Sequence, residues 1–67
     1  MIDEVNRVTF DDVEVVRRAD TMVMCRVGMR VVGVPPLRML TGTTVSGTGD
    51  RGRLVLTREV ALNLGLI

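Results

Sequence analysis

Chemistry on a bound substrate needs side chains that exchange protons, attack or hold a metal near neutral pH, and this sequence has almost none. Its 67 residues include no histidine, tyrosine or tryptophan, and all nine basic residues are arginine. Cys25 is the single thiol, and with no histidine to activate it, it reads as a small buried hydrophobe. General acid–base work would fall to carboxylates, yet the pair Asp11-Asp12 reads more simply as a turn. No cluster of ligands has metal-site spacing. The expectation is a protein that is not an enzyme, with no cofactor, no metal and no small-molecule substrate.

The segment Thr41–Gly52 is rich in glycine and hydroxyls and holds two nucleotide-binding patterns. Gly47-Thr-Gly-Asp-Arg-Gly52 spells GxGxxG, but a strand follows it where a dinucleotide site needs a helix. Gly42 and Gly47 have P-loop spacing, but Thr48 and Gly49 stand where lysine and a hydroxyl residue belong. Both are excluded, and the segment is expected to be a long surface loop or wide hairpin of the kind that often carries function.

Arginine remains as the residue able to recognise a partner. Residues 1–20 hold six acids against three arginines, and residues 21–67 hold six arginines against two acids. Such asymmetry fits head-to-tail subunit contacts, a basic binding face, or charges that mix in space on folding. Single-stranded nucleic acid needs aromatic platforms, and Phe10 is the only aromatic residue. Duplex DNA can be held by arginine alone.

The elements that would position these residues read as strands and one helix. Val8, Phe10, Val13 and Val15 fit a tight hairpin about Asp11-Asp12, with all four on one face and Phe10 anchoring the core. After a loop at Ala19-Asp20-Thr21, an alternating run from Met22 to Val34 predicts a long strand. Its register sets Val15 opposite Cys25, with Val23, Cys25, Val27, Met29 and Val31 on one face and Gly28 at a bulge or bend. Arg26 and Arg30 fall on the other face, as solvent charges or as part of a basic strip. Pro35-Pro36 ends the run, and Leu37–Leu40 is expected to form a further short strand. Leu54-Val-Leu56 then leads to Thr57, a helix N-cap; Val60, Ala61 and Leu64 form the apolar stripe, and Gly65 the left-handed stop.

Asp50-Arg-Gly-Arg-Leu-Val-Leu-Thr-Arg-Glu-Val-Ala-Leu-Asn-Leu-Gly-Leu66 resembles the signature segment of the AbrB/MazE-type swapped-hairpin proteins. There a Gly-Arg, a short apolar strand, a Pro-x-Glu helix start and a terminal Leu-Gly-Ile/Leu recur. Gly52, Arg53, Val55, Glu59, Leu64 and Gly65 fall on matching positions, although Thr57 stands where proline is usual. The family continues into another strand pair, a part that the N-terminal strands would have to supply here; the related double-psi barrels use the same strand-helix-Leu-Gly unit. The resemblance implies an intertwined homodimer binding duplex DNA, with Arg51, Arg53 and Arg58 as its nucleic-acid contacts.

The expected fold is one small domain over residues 1–67, α+β but mostly β: an antiparallel meander or partly closed barrel of four to five strands with one short C-terminal helix. A chain this small buries only about 60% of its unfolded surface, and 46% of its residues are hydrophobic, so a homo-oligomer is expected. No apolar run reaches the roughly 20 residues of a membrane span, and the acidic Met-Ile-Asp-Glu start is unlike a secretory signal, which gives a cytoplasmic expectation with no membrane partner. Two functions fit: an AbrB-like duplex-DNA-binding regulator, or a structural subunit, of a phage particle for example, joining copies of itself or a larger protein.

Overall fold

Val8 and Phe10 are an even step apart, as are Val13 and Val15, but the two pairs are out of phase, so a regular strand would send them to opposite faces. The computed structural model describes residues 6–67. Its elements are the strands β1 (Arg7–Arg18), β2 (Val23–Val27), β3 (Arg30–Val34) and β4 (Arg51–Thr57), followed by the helix α1 (Arg58–Asn63). The expected hairpin at Asp11-Asp12 is instead a bulge within one long strand: Phe10 pairs with Leu54 and Val13 with Gly52, so both aspartates stand against Arg53 alone. Asp12 takes a φ of 58°, a conformation aspartate tolerates better than most residues. The extra residue corrects the phase. Val13 and Val15 are fully buried, and Phe10 packs at the margin of the same core.

The other neighbour of β1 repeats the device. Arg18 pairs with Val23 across Ala19–Met22, one residue more than the expected loop, and a second irregularity between Val15 and Arg17 restores the expected pairing of Val15 with Cys25. The run from Met22 to Val34 is a hairpin rather than one strand. Val27 pairs with Arg30, leaving Gly28-Met29 as a two-residue turn, and positive φ at Gly28 alone (63°) matches a type II′ turn. The turn inverts the second half of the run: Val32 and Val34 join Val23 and Cys25 in the core, while Met29 and Val31 are exposed.

The strand order is β3-β2-β1-β4, every pair antiparallel, so a meander is completed by a fourth strand on the far side of β1 and the sheet stays open. The connection from β3 to β4 therefore crosses the core face. Its first part is a 3₁₀ turn, Pro36–Arg38, in place of the expected strand, held by Arg38 N–H to the Pro35 carbonyl at 2.9 Å. Its second part runs along the outer edge of β4. Leu40 N–H donates to the Val55 carbonyl and Thr44 N–H to the Arg53 carbonyl, each at 2.9 Å. In return, Val55 N–H reaches the Thr43 hydroxyl at 2.9 Å and Arg53 N–H the Thr44 hydroxyl at 2.8 Å. The threonines thus satisfy the edge groups that an open sheet leaves bare. Gly52 permits this approach, because a Cβ there would lie 2.4 Å from the Thr44 hydroxyl.

α1 closes the core as its sequence predicts. The Thr57 hydroxyl accepts from Val60 N–H at 3.2 Å, and Glu59 lies in the first turn. Gly65 N–H bonds to the Leu62 carbonyl and Leu66 N–H to the Ala61 carbonyl, with Gly65 at a φ of 77°: the paired bonds of a Schellman stop. Ala61 is buried, and Val60, Leu64 and Leu66 pack against the sheet's core of valine, leucine and Cys25. A helix of six residues is unstable alone, so its persistence depends on that packing.

Two substitutions test this account by urea denaturation. Thr43→Val leaves the Val55 N–H without its acceptor in a buried position and is expected to destabilise by about 1–3 kcal/mol. Gly65→Ala is expected to cost about 1 kcal/mol through its left-handed backbone, and stability equal to wild type would mean the helix end does not depend on that geometry.

Candidate functional site

Leu54 and Leu56 are buried in the core, and alternation along β4 turns Arg51 and Arg53 to the opposite face, exposed there, while Val55 farther along that face is covered by the segment at Gly42. There they meet carboxylates. Arg51 is the cross-strand partner of Glu14, which accepts a 2.8 Å bond from Arg26 on its other side. Arg53 Nε lies 3.8 Å from Asp11 Oδ1, carried to it by the bulge. These pairs are exposed and contribute little to stability, but they make the face alternate in charge instead of being uniformly positive. Arg58 is not on this face: it opens α1 and lines a groove with Arg7 and Arg38. Of the three arginines marked by the sequence resemblance, the fold brings two together and sets the third in a different cluster.

The groove has a volume of about 720 Å³ and runs between α1 and the Pro35–Leu40 crossing. Leu40, Val60, Leu62 and Leu64 form its apolar walls, and Asn6 and Asn63 add amides. Arg7 spends part of its guanidinium on the Thr41 carbonyl. Neither Arg38 nor Arg58 has an ion-pair partner among the described residues. Sequence reading missed Arg7 and Arg38 because nothing local connects strand β1, the 3₁₀ turn and the helix start; only the crossing of the core face does.

A third surface lies on β3, the other edge of the sheet. Because the two-residue turn makes Val27 and Arg30 a hydrogen-bonded pair, alternation gives Val32 and Val34 the remaining ladder bonds and points the backbone groups of Val31 and Gly33 outward. On the open face beside them, the Met24 and Met22 sulfurs would lie 3.2 and 3.5 Å from a Cβ at Gly33. Val31 is 47% and Met22 39% exposed.

The glycine-rich turn carries no phosphate cradle. Its amides are already engaged: Ser46 and Gly47 N–H donate to Asp50 Oδ2 at 2.9 and 2.8 Å, and Gly49 N–H donates to the Val15 carbonyl at 2.8 Å. These bonds to Gly47 and Ser46 hold the Asp50 carboxyl below its ordinary pKa. Cys25 is buried, and burial pushes its thiol up, away from reactivity. Among the described residues no group of three histidine, cysteine, aspartate or glutamate side chains could hold a metal, and no helix is long and apolar enough to cross a membrane.

Comparison with known protein families, with curated proteins and with solved structures returned no match for this chain. The surfaces themselves therefore carry the functional reading.

A carboxylate whose folded pKa is depressed contributes stability that is present above its unfolded pKa, about 4, and is lost as pH falls through the folded value. Wild-type stability should therefore decline in acid below about pH 4 partly through Asp50, and Asp50→Asn should flatten that decline in melts taken across this range. Identical acid profiles would remove Asp50 from the account.

Proposed function

We propose that this protein is a non-catalytic assembly subunit that joins copies of itself through the β3 edge and presents its remaining surface to a larger protein. The observation that carries this reading is the unequal treatment of the two sheet edges. β4 is sealed by Thr43 and Thr44, whereas among the described residues no loop bonds to the outer side of β3. A bare edge is a template for another strand, and the usual protections are a charge or a proline on it. Here Arg30 and Pro35 lie at its two ends and leave Val31, Val32, Gly33 and Val34 between them.

An antiparallel pairing of two copies about a two-fold axis at Val32 uses these groups well. Val31 of one copy then faces Gly33 of the other, and each pair exchanges the outward backbone bonds. The side chain of Val31 enters the space above glycine, against the thioethers of Met22 and Met24, which adapt to irregular contacts. Arg30 falls opposite Val34, so no like charges meet across the pairing.

A duplex-DNA-binding regulator, as the AbrB/MazE resemblance implies, has one observation in its favour: Arg51 and Arg53 share a face. Asp11 and Glu14 on that face would bring negative charge to the phosphates, which makes this the second reading.

Sedimentation at low micromolar concentration separates the possibilities. Wild type should sediment as a dimer or larger, and Val31→Lys as a folded monomer; a wild-type monomer, or an unaltered assembly in the variant, would sink the β3 edge. The DNA reading instead expects duplex binding that weakens by orders of magnitude between about 50 and 200 mM salt, with a log–log slope reduced by about 1 in Arg53→Ala.

A further inference from the structure

We propose that the groove between α1 and the Pro35–Leu40 crossing is a docking site for a short acidic peptide segment of a partner protein, one that carries branched apolar side chains. Among the described residues its lining sets three arginines, Arg7, Arg38 and Arg58, against one carboxylate, Glu59, so the occupant this lining complements is anionic. Arg38 and Arg58 are exposed and lack an ion-pair partner among the described residues, which leaves their guanidinium forks available to carboxylates.

The walls decide what kind of anion fits. Leu40, Val60 and Leu64 lie half-buried in the groove, and Leu62 on the same lining is 53% exposed. A phosphate or other small anion would leave this aliphatic surface wet, whereas leucine- or isoleucine-type side chains would cover it. Aromatic stacking platforms for unpaired nucleic acid bases are missing from the lining, since the chain's one aromatic residue, Phe10, is not part of it. Asn63, exposed on the lining, supplies an amide suited to the polar main chain of an extended peptide. The volume, about 720 Å³, is within the range of clefts that bury most of a ligand's surface. The residues used differ from those of the β3 edge, so docking and self-pairing can occur together.

The test is a fluorescence-anisotropy titration of the labelled peptide Glu-Leu-Asp-Glu-Leu-Asp, beside its neutral counterpart Gln-Leu-Asn-Gln-Leu-Asn and a labelled DNA duplex, at about 50 and 200 mM salt. Wild type should bind the acidic peptide at least about tenfold more tightly than the neutral one, and the double variant Arg38→Glu, Arg58→Glu should lose at least about tenfold, the equivalent of one charge-assisted bond. Leu62→Asp, at an exposed position, should show a similar loss and serves if the double variant does not fold. Repeating the titration in Val31→Lys should give wild-type affinity, which keeps this result separate from the fate of the β3 pairing. Equal binding of the two peptides, unchanged affinity in the variants, or no peptide binding at all would overturn the proposal. Duplex binding through the same arginines without peptide binding would reassign the groove to nucleic acid.

Discussion

The phase of β1 is the constraint on which the rest depends. A single strand of twelve residues is hydrogen-bonded to β2 on one side and β4 on the other, and it must present its valines to one core along both. Strict alternation fails twice, once at Asp11-Asp12 and once near Val16, and each failure is absorbed by a bulge facing a different neighbour. A one-residue slip in either pairing would turn a whole row of apolar side chains outward. With Val13, Val15, Val23, Cys25, Val34, Leu54 and Leu56 as the largest fully buried side chains, the domain has no spare core with which to tolerate that.

What was legible in the sequence follows from how local its cause is. The helix and both its caps could be read because Thr57, Glu59 and Gly65 act on backbone groups within a turn of themselves. The face shared by Phe10, Val13 and Val15 was legible for an incomplete reason: apolar spacing reports which side a residue takes, and a hairpin and a bulge place these residues alike. The Gly28-Met29 turn was hidden because apolar residues occupy both odd and even positions between Met22 and Val34, so the shift of the core face from Val23 and Cys25 to Val32 and Val34 left no gap in the run. Leu37–Leu40 showed a strand-like composition, but Pro35 and Pro36 bias the backbone that follows into a helical turn. The groove could not be read at all, because Arg7, Arg38 and Arg58 meet only through the crossing connection.

The three surfaces differ in what they ask of a partner. The open face of β4 and β1 answers its own arginines with Glu14 and Asp11 and is close to balanced. The β3 edge offers backbone bonds and soft apolar side chains, a combination suited to another strand. The groove offers guanidinium groups above an aliphatic floor. The proposed assembly subunit would use these surfaces for different contacts.

The crossing from β3 to β4 also governs the order in which the chain can fold. β1, β2 and β3 are joined by short turns, whereas Arg7 must find Thr57 and Val8 must find Leu56 after nearly the whole chain has emerged. Closing so long a loop costs more chain entropy than closing the two short turns of the meander, so β4 is the strand held by the least local pairing. β4 is therefore the strand whose exchange between two chains would preserve the strand contacts of the monomer.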